Sequence, residues 1–152
     1  MATSTLIQSL DLTYSDGIST GVTPSNRSQE ETFISSGVIS VGDWVAFDAT
    51  APGAGKVVVV NRAAVIAIGN PLVVGVAKTA ATAAGQKVKV VVSGFATAWC
   101  AGGIVAGTPL AAAEAVAGQA GIADATTVVV AGVALGTPDA AGQTAVWVYK
   151  KL

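Results

Sequence analysis

The side chains that carry most protein chemistry are scarce and scattered in this 152-residue chain. Histidine is absent, which removes the commonest general base and metal ligand. A Ser-His-Asp or Cys-His nucleophile therefore cannot be assembled, and neither can a His-containing zinc site. Of the nine carboxylates only Glu30 and Glu31 are adjacent, and adjacent residues of an extended segment point opposite ways. No DxDxDG-like run offers converging oxygens to calcium, and Asp16 and Asp43 read as turn residues. Ala51-Pro52-Gly53-Ala54-Gly55-Lys56 has the glycine and lysine of a phosphate loop. The leading glycine is missing, however, and Val57 stands where Ser or Thr would hold magnesium. Lys78, Lys87 and Lys89 lack interleaved aromatics and read as a solvated strand edge that discourages further pairing. The lone Cys100, between Trp99 and Ala101, reads as a buried apolar residue with no disulfide partner in the chain. Together these residues predict a protein that is not an enzyme and takes no cofactor or metal.

Composition points to contact rather than catalysis. The chain is 52% hydrophobic and 11% charged, against about 25% charged in ordinary globular proteins. A surface of Ser, Thr, Gln, Ala and Gly is weakly defended against association. The net charge of −1 argues against nucleic acid, whose phosphates need clustered Lys and Arg. Residues 1–37 carry Asp11, Asp16, Glu30 and Glu31 against Arg27, a balance of −3, while the remaining seven bases and five acids give +2. Such an asymmetry suits an acidic arm meeting a basic neighbour. The start of the chain lacks the basic end and apolar centre of a signal peptide. The longest apolar run, 63–77, is broken by Gly69-Asn70-Pro71 and is too short to span a bilayer. The expectation is a soluble protein made in a cytoplasm, with no membrane partner.

The elements that must position any contact surface come from an internal repeat. Residues 72–92, LVVGVAKTAATAAGQKVKVVV, return as 129–149, VVAGVALGTPDAAGQTAVWVY, with nine of 21 positions identical. Each copy is an apolar run, a Gly-containing connection and a second apolar run, which reads as a two-stranded unit used twice. In the first copy Val88, Val90 and Val92 share a predicted core face, with Lys87 and Lys89 wet. In the second, Trp147 and Tyr149 take the places of Val90 and Val92 and are expected to face the core. Upstream, 38–48 alternates around Gly42-Asp43 as a hairpin with Trp44 and Phe47 as packing residues. Lys56–Arg62 reads as a strand buried on both faces, and Ala63–Ile68 as another apolar segment. Residues 104–110 echo 40–45, so that the body divides into related halves, 38–94 and 102–152. Alanine-rich 111–121 is the single helix candidate, limited by Gly118 and Gly121 to about two turns, with a loose surface loop as the equal alternative. Short strands punctuated by glycine predict an all-β fold, a small barrel or sandwich built from the two halves. Residues 1–37 differ: 13–32 is polar and cannot bury enough surface to fold alone. It reads as an extended arm, attached through Leu6, Ile7, Leu10, Leu12 and Tyr14 near its front and Phe33 and Ile34 near its end.

The body, with GVISVGDWVAFD, two GVA…AAGQ units and the terminal AVWVYKKL, resembles the capsid cement or head decoration proteins of tailed bacteriophages. The resemblance covers about residues 37–152 and leaves the arm unmatched. It implies a β-rich virion structural protein on the outer surface of the expanded capsid, assembled in the host cytoplasm. The implied partners are the major capsid protein and further copies of the chain in a homotrimer, with the arm reaching onto neighbouring subunits. It carries over no catalytic residue. The alternative is a fibre-type β-module that binds host-surface carbohydrate through an aromatic platform drawn from Tyr14, Trp44, Trp99, Trp147 and Tyr149.

Overall fold

The structure, a computed structural model, describes residues 28–50, 56–59, 72–111, 116–123 and 129–149. It is all-β. The strands are β1 (Ser28–Ser35), β2 (Trp44–Phe47), β3 (Lys56–Val59), β4 (Val73–Ala77), β5 (Lys87–Trp99), β6 (Pro109–Ala111), β7 (Gly121–Ile122), β8 (Gly132–Ala134) and β9 (Gln143–Val148). They form one continuous sheet in the order β1-β3-β2-β4-β5-β9-β8-β6-β7, and β1 also pairs with β5. That extra pairing closes a five-stranded barrel, in which β5 is paired on one side with β1, up to Gly94, and on the other with β4.

Strand β5 is the spine. Its thirteen residues serve the barrel with their first half and pair with β9 over Gly94–Trp99 with their second. The half beyond β5 repeats the barrel's plan: β9, β8, β6 and β7 stand to β5 as β5, β4, β2 and β3 stand to β1. The match extends to single bonds. In the first half Gly42 N–H donates to Ala77 C=O (2.8 Å) and Ala77 N–H to Asp43 C=O (2.8 Å). In the second, Gly107 N–H donates to Ala134 C=O (2.8 Å) and Ala134 N–H to Thr108 C=O (2.9 Å). Gly42 and Gly107 hold φ of 89° and 87° in these turns, a backbone region that L side chains rarely enter. Parallel pairing of Ile34 and Ser35 with Lys56 and Val57 is answered by one parallel bridge, Cys100 to Ala120. The second ring thus closes through a single bridge where the first closes through a ladder.

The superposed bonds pair Ser28–Val45 with Ser93–Leu110, with identities at Ser28/Ser93, Thr32/Thr97, Gly37/Gly102, Ile39/Ile104 and Gly42/Gly107. The echo read between 40–45 and 104–110 is therefore part of a longer match. Residues 28–35, counted with the arm from their polarity, form a strand of the barrel, and Phe33 packs against its core.

Each ring has its own interior. The barrel holds Ile39, Val45, Val57, Val74, Ala77, Val88, Val90 and Val92, joined by Phe33 and Phe47, whose rings meet edge to face at 5.9 Å and 76°. In the second ring Ala98, Ala120 and Ala131 stand where the first has Phe33, Val57 and Val74. Trp44, on the barrel's outer face, belongs to this second cluster and supplies volume there. Its Cη2 lies 3.4 Å from the place a Cβ on Gly132 would take. One tryptophan thus packs the two rings together.

Several expectations are corrected. Residues 38–48 are not a hairpin: Ile39 bridges to Ala81, and β2 pairs with β3 and β4. Residues 111–121 show no helix in their described part. Ala111 ends β6, Gly121 begins β7, and Gly118 holds φ of 80°; ring pairing outweighs alanine's local preference. Of 56–62 only Lys56–Val59 is described, and there Val57 is buried while Lys56 and Val58 are half-buried. Ala63–Ile68 lies outside the described residues. Lys87 and Lys89 are exposed as expected, but they lie on a central strand flanked by β1 and β4, not at an edge. Lys78 forms an ion pair with Glu30.

The largest correction concerns Trp147 and Tyr149. Val88, Val90 and Val92 are buried as expected, yet in the second copy it is Val146 and Val148 that are buried, while Trp147 is half-buried and Tyr149 exposed. Ala77 faces Val90, whereas Ala134 faces Val146, one residue earlier in the aligned repeat. The connection explains the shift. Thr82 N–H reaches the Gln86 side chain (2.7 Å) in the first copy, but Asp139 N–H bonds the Gln143 backbone directly (2.8 Å) in the second. The Asp139 carboxylate also accepts from Ala141 and Gln143 N–H, both at 2.9 Å. A tighter loop shortens the unit by one residue, and one residue of register exchanges the two faces of a strand.

Candidate interaction surface

The register shift builds an apolar row across the outside of the second ring. Phe95 on β5 lies opposite Trp147 on β9, Trp147 opposite Val133 on β8, and Val133 opposite Pro109 on β6. Cross-strand partners share a face, and none of the four is fully buried. Leu135 (45% exposed) and Tyr149 (43% exposed) flank the row. Residues 93–99, 109–111, 132–134 and 143–148 contain no charged side chain. The charges of the sheet instead lie on the first barrel, at Glu30, Glu31, Lys56, Lys87 and Lys89. Further aliphatic side chains stand out at turns, including Val38, Val41 and Val105 at 67%, 51% and 58% exposed. An uncharged aromatic and aliphatic face of this kind suits protein contact, since charge is depleted and aromatics are enriched at the centres of interfaces.

Of the residues predicted to attach the arm, Phe33 faces the barrel interior and Ile34 is half-buried beside Lys56 and Lys87. Leu6, Ile7, Leu10, Leu12 and Tyr14 lie outside the described residues. Of the aromatic platform candidates, Trp44 is buried and Trp99 is half-buried with its Nε1–H donated to Val41 C=O (2.9 Å). Trp147 and Tyr149 lie on the outer side of β9. Phe95, Val133 and Leu135 were not singled out by the sequence. Their signal is the alternation of 143–149, readable only once Val146 and Val148 are known to face inward.

Two titrating groups depart from their ordinary values. Burial pushes the Cys100 thiol up to about 11, so the thiol stays protonated and unreactive at neutral pH. Burial also raises the Asp43 carboxyl, opposed by the Ser40 N–H that it accepts at 2.7 Å. Thr108 fills the same role in the second half, accepting from Val105 N–H at 3.3 Å. A raised carboxyl binds its proton more readily folded than unfolded, so Asp43 lowers stability as pH rises above the ordinary range near 3.8. Asp43→Asn keeps an acceptor and is expected to flatten that decline in denaturation curves taken from pH 4 to pH 7. Asp43→Ala orphans the Ser40 N–H as well and is expected to be about 1 kcal/mol less stable than Asp43→Asn at every pH.

Among the described residues no group of three or more Cys, Asp or Glu could hold a metal ion, and no helix is long and apolar enough to cross a membrane. No protein-family model and no curated protein matches the chain.

Proposed function

We propose that the chain is a non-enzymatic cement protein of a tailed-phage head. It binds the outer surface of the assembled shell, the arm reaching onto neighbouring subunits and the copies gathering as trimers. The observation that carries this reading is the charge-free row Phe95–Trp147–Val133–Pro109 on the outside of a duplicated scaffold. The resemblance of the GVA…AAGQ units to decoration proteins supplies the partner. Many copies on a repeating lattice turn modest contacts into firm attachment.

The test is co-sedimentation with purified expanded heads that lack the protein. The full chain is expected to saturate the heads, and a chain starting at Ser28 to bind them at least about tenfold more weakly. The cut must fall at residue 28, because removing β1 opens the barrel. Unaltered attachment by the shortened chain contradicts the role of the arm, and failure of the full chain to bind heads contradicts the reading itself.

Phe95, Trp147 and Tyr149 on one side of the second ring also favour a second reading, a carbohydrate-binding module. Titration with host-surface oligosaccharides separates the two: saturable glycan binding abolished by Trp147→Ala and Tyr149→Ala, without any binding to heads, would establish the second.

A further inference from the structure

Where the two rings join, a recess of about 270 Å³ opens beside the point at which the described chain begins. Val76, Val91 and Ala96 form its buried floor, and Val41, Phe95 and Thr97 its rim. Ser28, the first described residue, lines it too. Its size lies below the roughly 300–1,000 Å³ of small-molecule sites and fits a few inserted side chains instead.

One wall is a strand edge. Trp99 N–H donates to Gly42 C=O (3.0 Å) and Trp99 C=O accepts from Ala120 N–H (3.0 Å), so the Trp99 backbone groups point away from β9. Peptide groups alternate along an antiparallel ladder, so those of Phe95 and Thr97 point the same way. The described pairing of β1 ends at Ser28 opposite Gly94. Among the described strands none pairs with that side of Phe95–Ala98. An extended segment can add there, its backbone on the edge and alternate side chains in the recess.

We propose that this recess receives the segment Leu6–Leu12 of a second copy of the chain. The 27 residues before Ser28 are the chain's own source of an occupant, and their composition selects one part. Thr23-Pro24-Ser25-Asn26-Arg27 brings no large apolar side chain, whereas Leu6, Leu10 and Leu12 fall on one face of an extended strand. The fifteen residues 13–27 span up to about 50 Å when extended. A body of this size has a radius of gyration of about 14 Å, so the tether reaches past its own body to a neighbour's recess. The inference rests on the proposed function, because a shell lattice holds copies close together. Each copy gives one arm and takes one, a head-to-tail exchange that closes into a ring.

Two full-length variants test it without any head present. Leu10→Asp with Leu12→Asp breaks the arm, and Thr97→Trp blocks the recess from an exposed position. By light scattering at high micromolar concentration the unaltered chain is expected to be oligomeric and each variant monomeric. Mixing the two is expected to double the mass, since the intact arm of one fits the open recess of the other. A monomeric unaltered chain, variants that stay oligomeric, or a mixture that stays monomeric overturns the exchange. As a second measurement, a labelled peptide of residues 1–14 is titrated into the arm-broken chain. Saturable binding weakened at least tenfold by adding Thr97→Trp supports the inference, and no binding overturns it. Heads still coated by a chain that exchanges no arms would overturn this inference alone and leave the proposed function standing.

Discussion

Gly75→Ala is expected to lower the stability of the folded body by about 3 kcal/mol or more, and Gly132→Ala by clearly less. Both glycines open the Gly-Val-Ala of the repeated unit, and both approach the backbone of the partner strand. A Cβ on Gly75 would lie 2.0 Å from the Val91 carbonyl oxygen and 2.9 Å from its carbon; on Gly132 it would lie 2.4 Å from the Trp147 oxygen. Backbone cannot swing aside as a side chain can, so β4 must move off β5. That displacement disturbs the barrel interior on one side of β5 and the second ring on the other. Urea denaturation checks it: with a slope of about 2 kcal/mol per molar, the Gly75→Ala midpoint should fall by about 1.5 M. Equal midpoints for the two variants would refute the close approach as the reason for these glycines.

Trp44→Ala should have the next largest effect, about 3–5 kcal/mol, or a fall in melting temperature of about 10 °C or more. The side chain is fully buried between the rings and packs among alanines that leave it room. No small neighbour can fill the cavity that its loss creates. Trp44→Phe is the informative companion. The Nε1–H of Trp44 is buried without a hydrogen-bond partner among the described residues, so phenylalanine removes an unsatisfied donor along with part of the volume. The expected cost is then only about 1 kcal/mol. A loss as large as that of alanine would mean that the indole nitrogen has a partner.

The two variants also separate the halves of the fold. Gly75 acts through both clusters, which β4 and β5 share, whereas Trp44 acts through the second ring, whose interior is too rich in alanine to fill itself. Loss of the second ring alone would appear in Trp44→Ala as a two-step transition, with the barrel melting later.

Strand content, the duplicated GVA…AAGQ unit and the core face of Val88, Val90 and Val92 were legible in the chain, because alternation of side chains across a pleat is a local property. So was the polarity of residues 13–27, a property of composition alone. In the described part of 111–121 the pairing of β6 and β7 prevails over the helix candidate, because alanine propensity is worth only tenths of a kcal/mol per residue. The apolar row on the outside of the second ring was hidden for a sharper reason. Nine identities align Trp147 with Val90, yet the loop around Asp139 closes one residue sooner than the loop around Thr82, and the aligned residues turn to opposite sides. Composition and alternation dictated that these segments would be strands. Register is decided between strands, by a loop's hydrogen bonds and the partners they bring opposite, and so the faces that hold the rings together and the faces left on the outside were set only when the chain folded.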